Sequence, residues 1–332
     1  MTAAAPSLDV VGIGNALVDV LSHEDDDFLA TQGLTKGSMA LIDTERAVAL
    51  YDAMGPGIEI SGGSTANTMV GIASLGGSAA FVGRVRDDQL GAVFGHDLRA
   101  AGVAFSNSPA TEGPPTGRCL IVVTPDAERT LNTFLGAASD VAPDDIDPSS
   151  VATSQVTYLE GYLFDQPIAK EAFRHAASLA HAAARRVALT LSDGFCVDRH
   201  RDDFRALVDH EVDILFANED EICSLYQVDD FDTALQQVLH HCEVAVLTRS
   251  EKGAVVVSGD EVHVIDAHPV DAVVDTTGAG DQYAAGFLFG FTHGYDLGTC
   301  GRLGALAAAE VISHLGARPE TSLAELAAPL LR

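Results

Sequence analysis

Short runs of β-branched and other apolar residues recur along the chain, separated by longer stretches whose apolar positions return every three or four residues. The first kind predicts strands at 8–13, 79–85, 156–159, 187–191, 213–216 and 243–247. The second kind predicts helices at 64–75, 89–101, 167–185 and 231–241. This alternation argues for βαβ units around a mainly parallel sheet covered by helices. The runs at 244–247 and 255–257 are apolar without a break, as strands buried on both faces should be. From Gly278 onward the chain is rich in Ala, Leu and Gly and reads mostly as helix. Two stretches, 38–43 and 118–135, break the pattern and read as extended or hairpin segments. The second alternates polar and apolar residues from Arg129 to Thr133 and has a turn candidate at Pro125 and Asp126. The expectation is one domain over 1–332, of class α/β, with three αβα layers and a mainly parallel central sheet. A small β-strand lid is expected from segments around 15–22, 36–43 and 116–135.

Composition narrows the function. The 332 residues are 47% apolar and 20% charged, enough to bury a sizeable core. Acidic residues outnumber basic ones 48 to 19, for a formal charge of −29. Such a surface repels phosphodiesters and anionic lipid, so neither nucleic acid nor a membrane is an expected partner. The five cysteines, Cys119, Cys196, Cys223, Cys242 and Cys300, are scattered and form no C-x-x-C pair. That argues against a disulfide framework or zinc site and fits a reducing cytoplasm. Residues 1–8 lack a basic and apolar leader pattern, and no apolar run approaches the roughly 18 residues of a membrane span. A cytoplasmic protein is expected.

Several glycine turns carry candidate chemistry. Gly12-Ile13-Gly14-Asn15-Ala16-Leu17 follows a strand as a dinucleotide fingerprint would, but Leu17 stands at the third glycine position. Asn15 and Asp19 read instead as hydroxyl-binding side chains, or as turn chemistry and an exposed acid. Gly62-Gly63-Ser64-Thr65-Ala66-Asn67 nearly spells a nucleophile elbow, yet Ala66 replaces its last glycine. It is either a helix start capped by Ser64 or Thr65, or a glycine pair that lets ligand hydroxyls reach backbone, with Asn67 one turn on. Asp275-Thr276-Thr277-Gly278-Ala279-Gly280-Asp281 lies between strand-like 270–274 and helical 282–293. Its glycines would let a phosphate approach amides at a helix start. Asp281 would repel that anion unless it serves as general base beside a transferring phosphoryl group. Asn218 and Glu221 could serve magnesium through water, or simply begin an acidic helix. Thr248-Arg249-Ser250-Glu251-Lys252-Gly253 could offer amides or hydroxyls to phosphates. A Walker P-loop and an H-E-x-x-H zinc motif are both absent from the sequence.

In this order the segments resemble the ribokinase-like (PfkB) family of carbohydrate and nucleoside kinases, over essentially the full chain. The N-terminal half is most similar to the family's adenosine kinases, in Gly14 to Asp19, Ser61 to Asn67, Pro115-Thr116-Gly117 and Asp213 to Glu219. The resemblance implies Asp281 as catalytic base, an anion hole of Gly278, Ala279 and Gly280, and Arg129 closing over phosphates from the lid. It implies Asn15, Asp19, Gly62, Gly63 and Asn67 on ribose hydroxyls, and Leu17, Leu131, Thr133, Leu135 and Tyr162 around a base. ATP would lie along Asn218, Thr248, Ser250, Gly253, Gly278 and Gly280. Mg²⁺ would sit near Asn218 and Glu221, and a monovalent cation such as K⁺ near Asp275 and Thr277. Ser250 departs from the family's frequent glycine, and Met39 lies where adenosine kinases place a polar base contact. The implied reaction is ATP-dependent phosphorylation of a ribonucleoside 5′-hydroxyl, adenosine foremost. A sugar kinase for ribose, fructose or a 2-keto-3-deoxy sugar acid, and a catalytically silent nucleotide-binding regulator, are the alternatives. Monomer and lid-paired homodimer remain open.

Overall fold

The computed structural model of the protein describes residues 6–126, 128–239 and 241–331. Ala127 of the expected hairpin and His240 of the fourth expected helix lie outside these residues. Thirteen strands run in chain order among those described: β1 Leu8–Ile13, β2 Leu17–His23, β3 Met39–Leu41, β4 Gly57–Gly62, β5 Ala79–Val82, β6 Gly117–Val123, β7 Arg129–Phe134, β8 Ser154–Glu160, β9 Arg186–Thr190, β10 Ile214–Asn218, β11 Val244–Thr248, β12 Ala254–Ser258 and β13 Glu261–Ile265. Eight of them form one sheet in the order β13-β12-β11-β10-β9-β8-β1-β5. Pairing is parallel from β5 through β11 and antiparallel only at β12 and β13.

Side chains alternate faces along a strand, so adjacent residues must enter different cores. Val11, Leu159, Leu189, Leu215 and Leu247 join one hydrophobic cluster, with Phe173, Phe204, Ile222 and Phe231 from helices Pro167–Ala182, Gly194–His210, Glu219–Tyr226 and Phe231–Val238. Their neighbours Val10, Tyr158, Ala188, Phe216 and Val246 join the other, with Met69, Phe94, Phe287 and Cys300 from helices Ser64–Ser74, Gln89–Ala100, Ala279–Thr292 and Leu297–Val311. Burial on both faces is why these strands read as unbroken apolar runs. Part of the acidic excess caps helices: Asp88, Asp193, Asp230 and Asp296 each accept from the backbone N–H three residues on. Such caps contribute about 1 kcal/mol each.

The remaining five strands form a small sheet in the order β3-β7-β6-β2-β4. In register, Asp19 lies opposite Cys119, Cys119 opposite Thr133, and Thr133 opposite Leu41. One face therefore presents Leu17, Asp19, Cys119, Ile121, Leu131, Thr133, Met39 and Leu41 together, and all of these line the main cavity. Strand β4 was not expected, although Ile58 and Ile60 alternate as an edge strand requires. The reverse error is 270–274, which forms no strand: Val273 and Val274 are 59% and 51% exposed, without a neighbouring strand to pair with. β-branched residues alone do not make a strand when no sheet edge receives them.

One close approach places the site. A Cβ on Gly71 would overlap the Gln282 amide and lie 2.6 Å from Ala285 Cβ, so only glycine lets helix Ser64–Ser74 lie directly on helix Ala279–Thr292. That contact brings the N-terminal ends of both helices together at the C-terminal edge of the parallel strands, where open α/β sheets bind ligands.

Candidate active site

Asp281 is in the first turn of helix Ala279–Thr292, whose N-cap Gly278 adopts the left-handed conformation (φ 79°). A side chain at Gly278 would be strained there and would meet Ala317 Cα at 2.7 Å. At Gly280 a Cβ would meet nothing within 4 Å, so its backbone opens onto the cavity. Of the expected trio, the Ala279 amide is already spent on the Thr276 carbonyl at 3.2 Å. Asp281 Oδ1 accepts from Ser64 Oγ at 2.6 Å, and Oδ2 from Asn67 Nδ2 at 3.1 Å. Burial pushes its carboxyl up to about 6, against the downward pull of those two donors. A half-buried carboxylate raised toward neutrality can accept a proton.

Ser64 and Thr65 do not cap their helix. Gly63 is the N-cap and offers no side chain, while Ser64 turns to Asp281. Asn15, in the turn after β1, is fixed by Glu160 at the end of β8: Glu160 Oε1 accepts from Asn15 Nδ2 at 2.7 Å, and Oε2 accepts from the Thr65 amide at 2.8 Å. That leaves Asn15 Oδ1 buried and without a protein partner, beside the cavity, an acceptor for a ligand hydroxyl. Asp19 faces the same space from β2. Burial raises its carboxyl to about 6, with Arg318 and then Arg129 opposing and Asp281 reinforcing the rise. Gly62 is not part of the cavity wall. It underlies the Asp19 carboxylate, which a Cβ there would strike.

The cavity measures about 1250 Å³. From the small sheet it receives Leu17, Leu131 and Thr133, and just past β7 Leu135, as expected, together with Met39, Leu41, Cys119 and Ile121. Thr133 Oγ1 is engaged with Cys119 Sγ at 3.3 Å, so that wall is apolar in effect. Tyr162 lines the cavity from the large-sheet side, in the turn after β8, its hydroxyl donating to the Ser192 carbonyl at 3.2 Å.

Beyond the Gly-rich turn, Asn218, Glu221, Thr248, Ser250 and Gly253 line the rest of the cavity. Ser250 holds φ 51°, the region where glycine is unstrained, which gives the family's preference there a physical reason. Asn218 caps helix Glu219–Tyr226 reciprocally with Glu221: Asn218 Nδ2 donates to Glu221 Oε1 at 2.6 Å, and the Glu221 amide donates to Asn218 Oδ1 at 2.8 Å. Burial lifts the Glu221 carboxyl to about 7. Asn218 and Glu221, whose side chains are already bonded to each other and to backbone, would hold a hydrated magnesium through water. Among the described residues no group of three or more His, Cys, Asp or Glu could cage a metal directly.

Asp275 and Arg129 stand behind the cavity wall rather than in it. Arg129 Nη1 is ion-paired with Asp275 Oδ2, and Gly316 N donates to the same oxygen at 2.9 Å. Thr277 supplies its amide and hydroxyl to Oδ1 at 3.0 and 2.6 Å. Burial would raise the Asp275 carboxyl, but Thr277, Gly316 and Arg129 outweigh it and hold it below its ordinary value. The Arg129 guanidinium and Thr277 thus already satisfy the Asp275 carboxylate.

The pfkB family carbohydrate kinase model matches residues 58–323. The chain belongs to that family. The kinase is a phosphotransferase acting on an alcohol group, as its relatives are. A solved adenosine kinase from Sinorhizobium meliloti is 52% identical, with a TM-score of 0.90 over 97% of this chain and 99% of that one. A probable sugar kinase from Rhizobium etli CFN 42 is 50% identical, with a TM-score of 0.91 over 99% and 100%. An adenosine kinase from Saccharomyces cerevisiae is 27% identical over 92% of this chain and 95% of its own length. Both solved structures match the three-layer α/β fold with its second small sheet. No helix among the kinase's described residues is long and apolar enough to cross a membrane.

Glu160, Gln282 and Arg318 escaped the sequence reading, and Ser64 entered it only as a helix cap. Only Glu160 carried a local signal, as an acid ending an apolar strand at 156–159.

Proposed function

We propose that the kinase transfers the γ-phosphoryl group of ATP to the 5′-hydroxyl of a ribonucleoside, adenosine foremost. The observation that carries this reading is the apolar wall of Leu17, Met39, Ile121, Leu131 and Leu135, set across the cavity from Asp281. A purine base has two faces to cover, whereas a free pentose would leave such a wall wet. Neither Arg129 nor Arg318 is among the residues lining the cavity, so neither presents its charge directly to a sugar acid there. The adenosine kinase from S. meliloti, at 52% identity, supports the same choice.

In this mechanism Asn15 Oδ1, Asp19 and Asn67 hold the ribose hydroxyls while the 5′-oxygen faces the γ-phosphorus. Asp281 takes the 5′-hydroxyl proton as the new O–P bond forms and the bond from the γ-phosphorus to the bridging oxygen breaks, with ADP leaving. The amides of Gly278 and Gly280 stabilise the transferring oxygens. ATP lies along Asn218, Thr248, Ser250 and Gly253. Magnesium held through water near Asn218 and Glu221 would neutralise phosphate charge. The small sheet acts as lid. Its Met39, Leu41, Ile58 and Ile60, 41–69% exposed, would suit pairing with a second lid, which light scattering in solution tests.

The deciding experiment is ADP formation across adenosine, other nucleosides, ribose, fructose and a 2-keto-3-deoxy sugar acid. The highest kcat/KM is expected for adenosine, and a wild type that prefers ribose would move the kinase to the sugar-phosphorylating branch. Tyr162→Ala should lower adenosine kcat/KM by about tenfold, from the value of an aromatic stack on a base, and leave any ribose activity nearly unchanged. Equal losses on both acceptors would remove Tyr162 from the base site.

The pH profile follows from two carboxyls. Asp281 must be ionised to accept the proton, and its folded value is raised to about 6. Asp19 titrates in the same range. Activity is therefore fully present above this window and lost as pH falls through it. A plot of log kcat/KM should bend down below about pH 6, with a limiting slope steeper than one because two acids protonate together. A profile flat to pH 5 would contradict the assignment.

A further inference from the structure

Residues 316–318 follow helix Leu297–Val311 and touch both halves of the site. Gly316 N donates to Asp275 Oδ2 at 2.9 Å, and Ala317 packs on Gly278 at the Gly-rich turn. Gln282 Nε2 donates to the Ala317 and Asn67 carbonyls, each at 3.0 Å. Arg318 then reaches the acceptor side, Nε donating to Asn67 Oδ1 at 3.2 Å and Nη1 to Ser61 Oγ at 2.7 Å. Its Nη2 is buried without a protein partner. An amide whose oxygen accepts from a guanidinium must present its NH₂ elsewhere, and Asn67 Nδ2 points at Asp281 Oδ2.

We propose that Arg318 is a positioning residue for phosphoryl transfer, fixing the Asn67 amide so that it donates to Asp281 and holding positive charge beside Asp19. The proposal rests on Asp281 being the base. Without the Arg318 fork, Asn67 is free to rotate, and Asp281 loses a donor that stabilises its ionised form. Asp19 loses the largest of the charges opposing its protonation. The other charged or titratable groups facing Asp19 are Arg129, Asp281 and, across the sheet, Cys119. Those around Asp281 are Asp19, Glu160, Tyr158 and Tyr162, none of them a cation. Removing Arg318 therefore raises both carboxyls, with only Arg129 left to compensate at Asp19.

The test compares wild type, Arg318→Met and Arg318→Lys between pH 5 and 9, on whichever acceptor the wild-type enzyme phosphorylates best. Arg318→Met should raise the acceptor KM about tenfold, as expected for losing an oriented buried hydrogen bond to a charged group, and leave the ATP KM within about twofold. The acid limb of kcat/KM should move up by about one pH unit. Arg318→Lys keeps the charge but not the two-pronged geometry, so the limb should return partway while the acceptor KM stays raised. If both variants only melt earlier, with limb and KM ratios unchanged, Arg318 is merely structural and the proposal fails. It fails equally if the ATP KM rises as much as the acceptor KM. Should Arg318→Met not fold, the lysine variant alone carries the comparison. A wild type that prefers a sugar would overturn the nucleoside assignment and leave this comparison intact on that sugar.

Discussion

Asp281→Asn should lower kcat by at least about a hundredfold, the scale of general-base catalysis, while nucleotide affinity stays near that of the wild type. The substitution keeps the volume and still lets one oxygen accept from Ser64 or Asn67. What it removes is the only basic lone pair in the first turn of helix Ala279–Thr292, since an amide does not take up a proton near neutral pH. ATP binding should change little because the Gly278 and Gly280 amides are backbone groups. Calorimetric titration with a non-hydrolysable ATP analogue, beside steady-state turnover, separates the two effects. Turnover like the wild type's would remove Asp281 from the reaction. Equal loss of binding and turnover would assign it a structural part.

Glu160→Leu should destabilise the fold by roughly 3–5 kcal/mol, the cost of leaving several buried donors without an acceptor. Glu160 is almost wholly buried and accepts from both nitrogens of Asn15 and from the amide of Thr65, thereby joining three separate segments. Leucine fills the space and satisfies none of the three donors. Glu160→Gln keeps an acceptor oxygen and should cost no more than about 1–2 kcal/mol. Urea unfolding of the two variants measures the difference. A leucine variant as stable as the wild type would mean that water or rearranged backbone serves those donors.

The large sheet was legible because two-sided burial writes itself into sequence as unbroken apolar runs. Strand β1 at 8–13 and the helix beginning at 64 were placed to the residue at their starts. The small sheet was legible where alternation is strong, in 118–135, and missed at β4, an edge strand that begins and ends in glycine. Stretch 270–274 misled because valines there face solvent in a loop leading to the Gly-rich turn. Residues were recognisable as site candidates when a local glycine turn marked them, as at 62–67 and 275–281. Ser64 meets Asp281 across 217 residues and Arg318 meets Asn67 across 251, and no local pattern records such encounters. Ala279 and Arg129 show the other limit. Their segments were found, but which of their donors are already committed is visible only from the partners they fold against.

The division between the two sheets has a consequence for how such an enzyme can change. Asp281 and the Gly278 and Gly280 amides ride on a helix packed against the large sheet, whereas the apolar wall of the cavity comes mainly from β2, β3, β6 and β7. Exchanging the apolar side chains on those four strands would reshape what the cavity admits while leaving Asp281 and the Gly-rich turn in place. Descendants of one catalyst could then diverge in diet while inheriting the same engine. Two relatives of about equal likeness to this chain, one an adenosine kinase and the other a probable sugar kinase, are what such a separable architecture would leave behind.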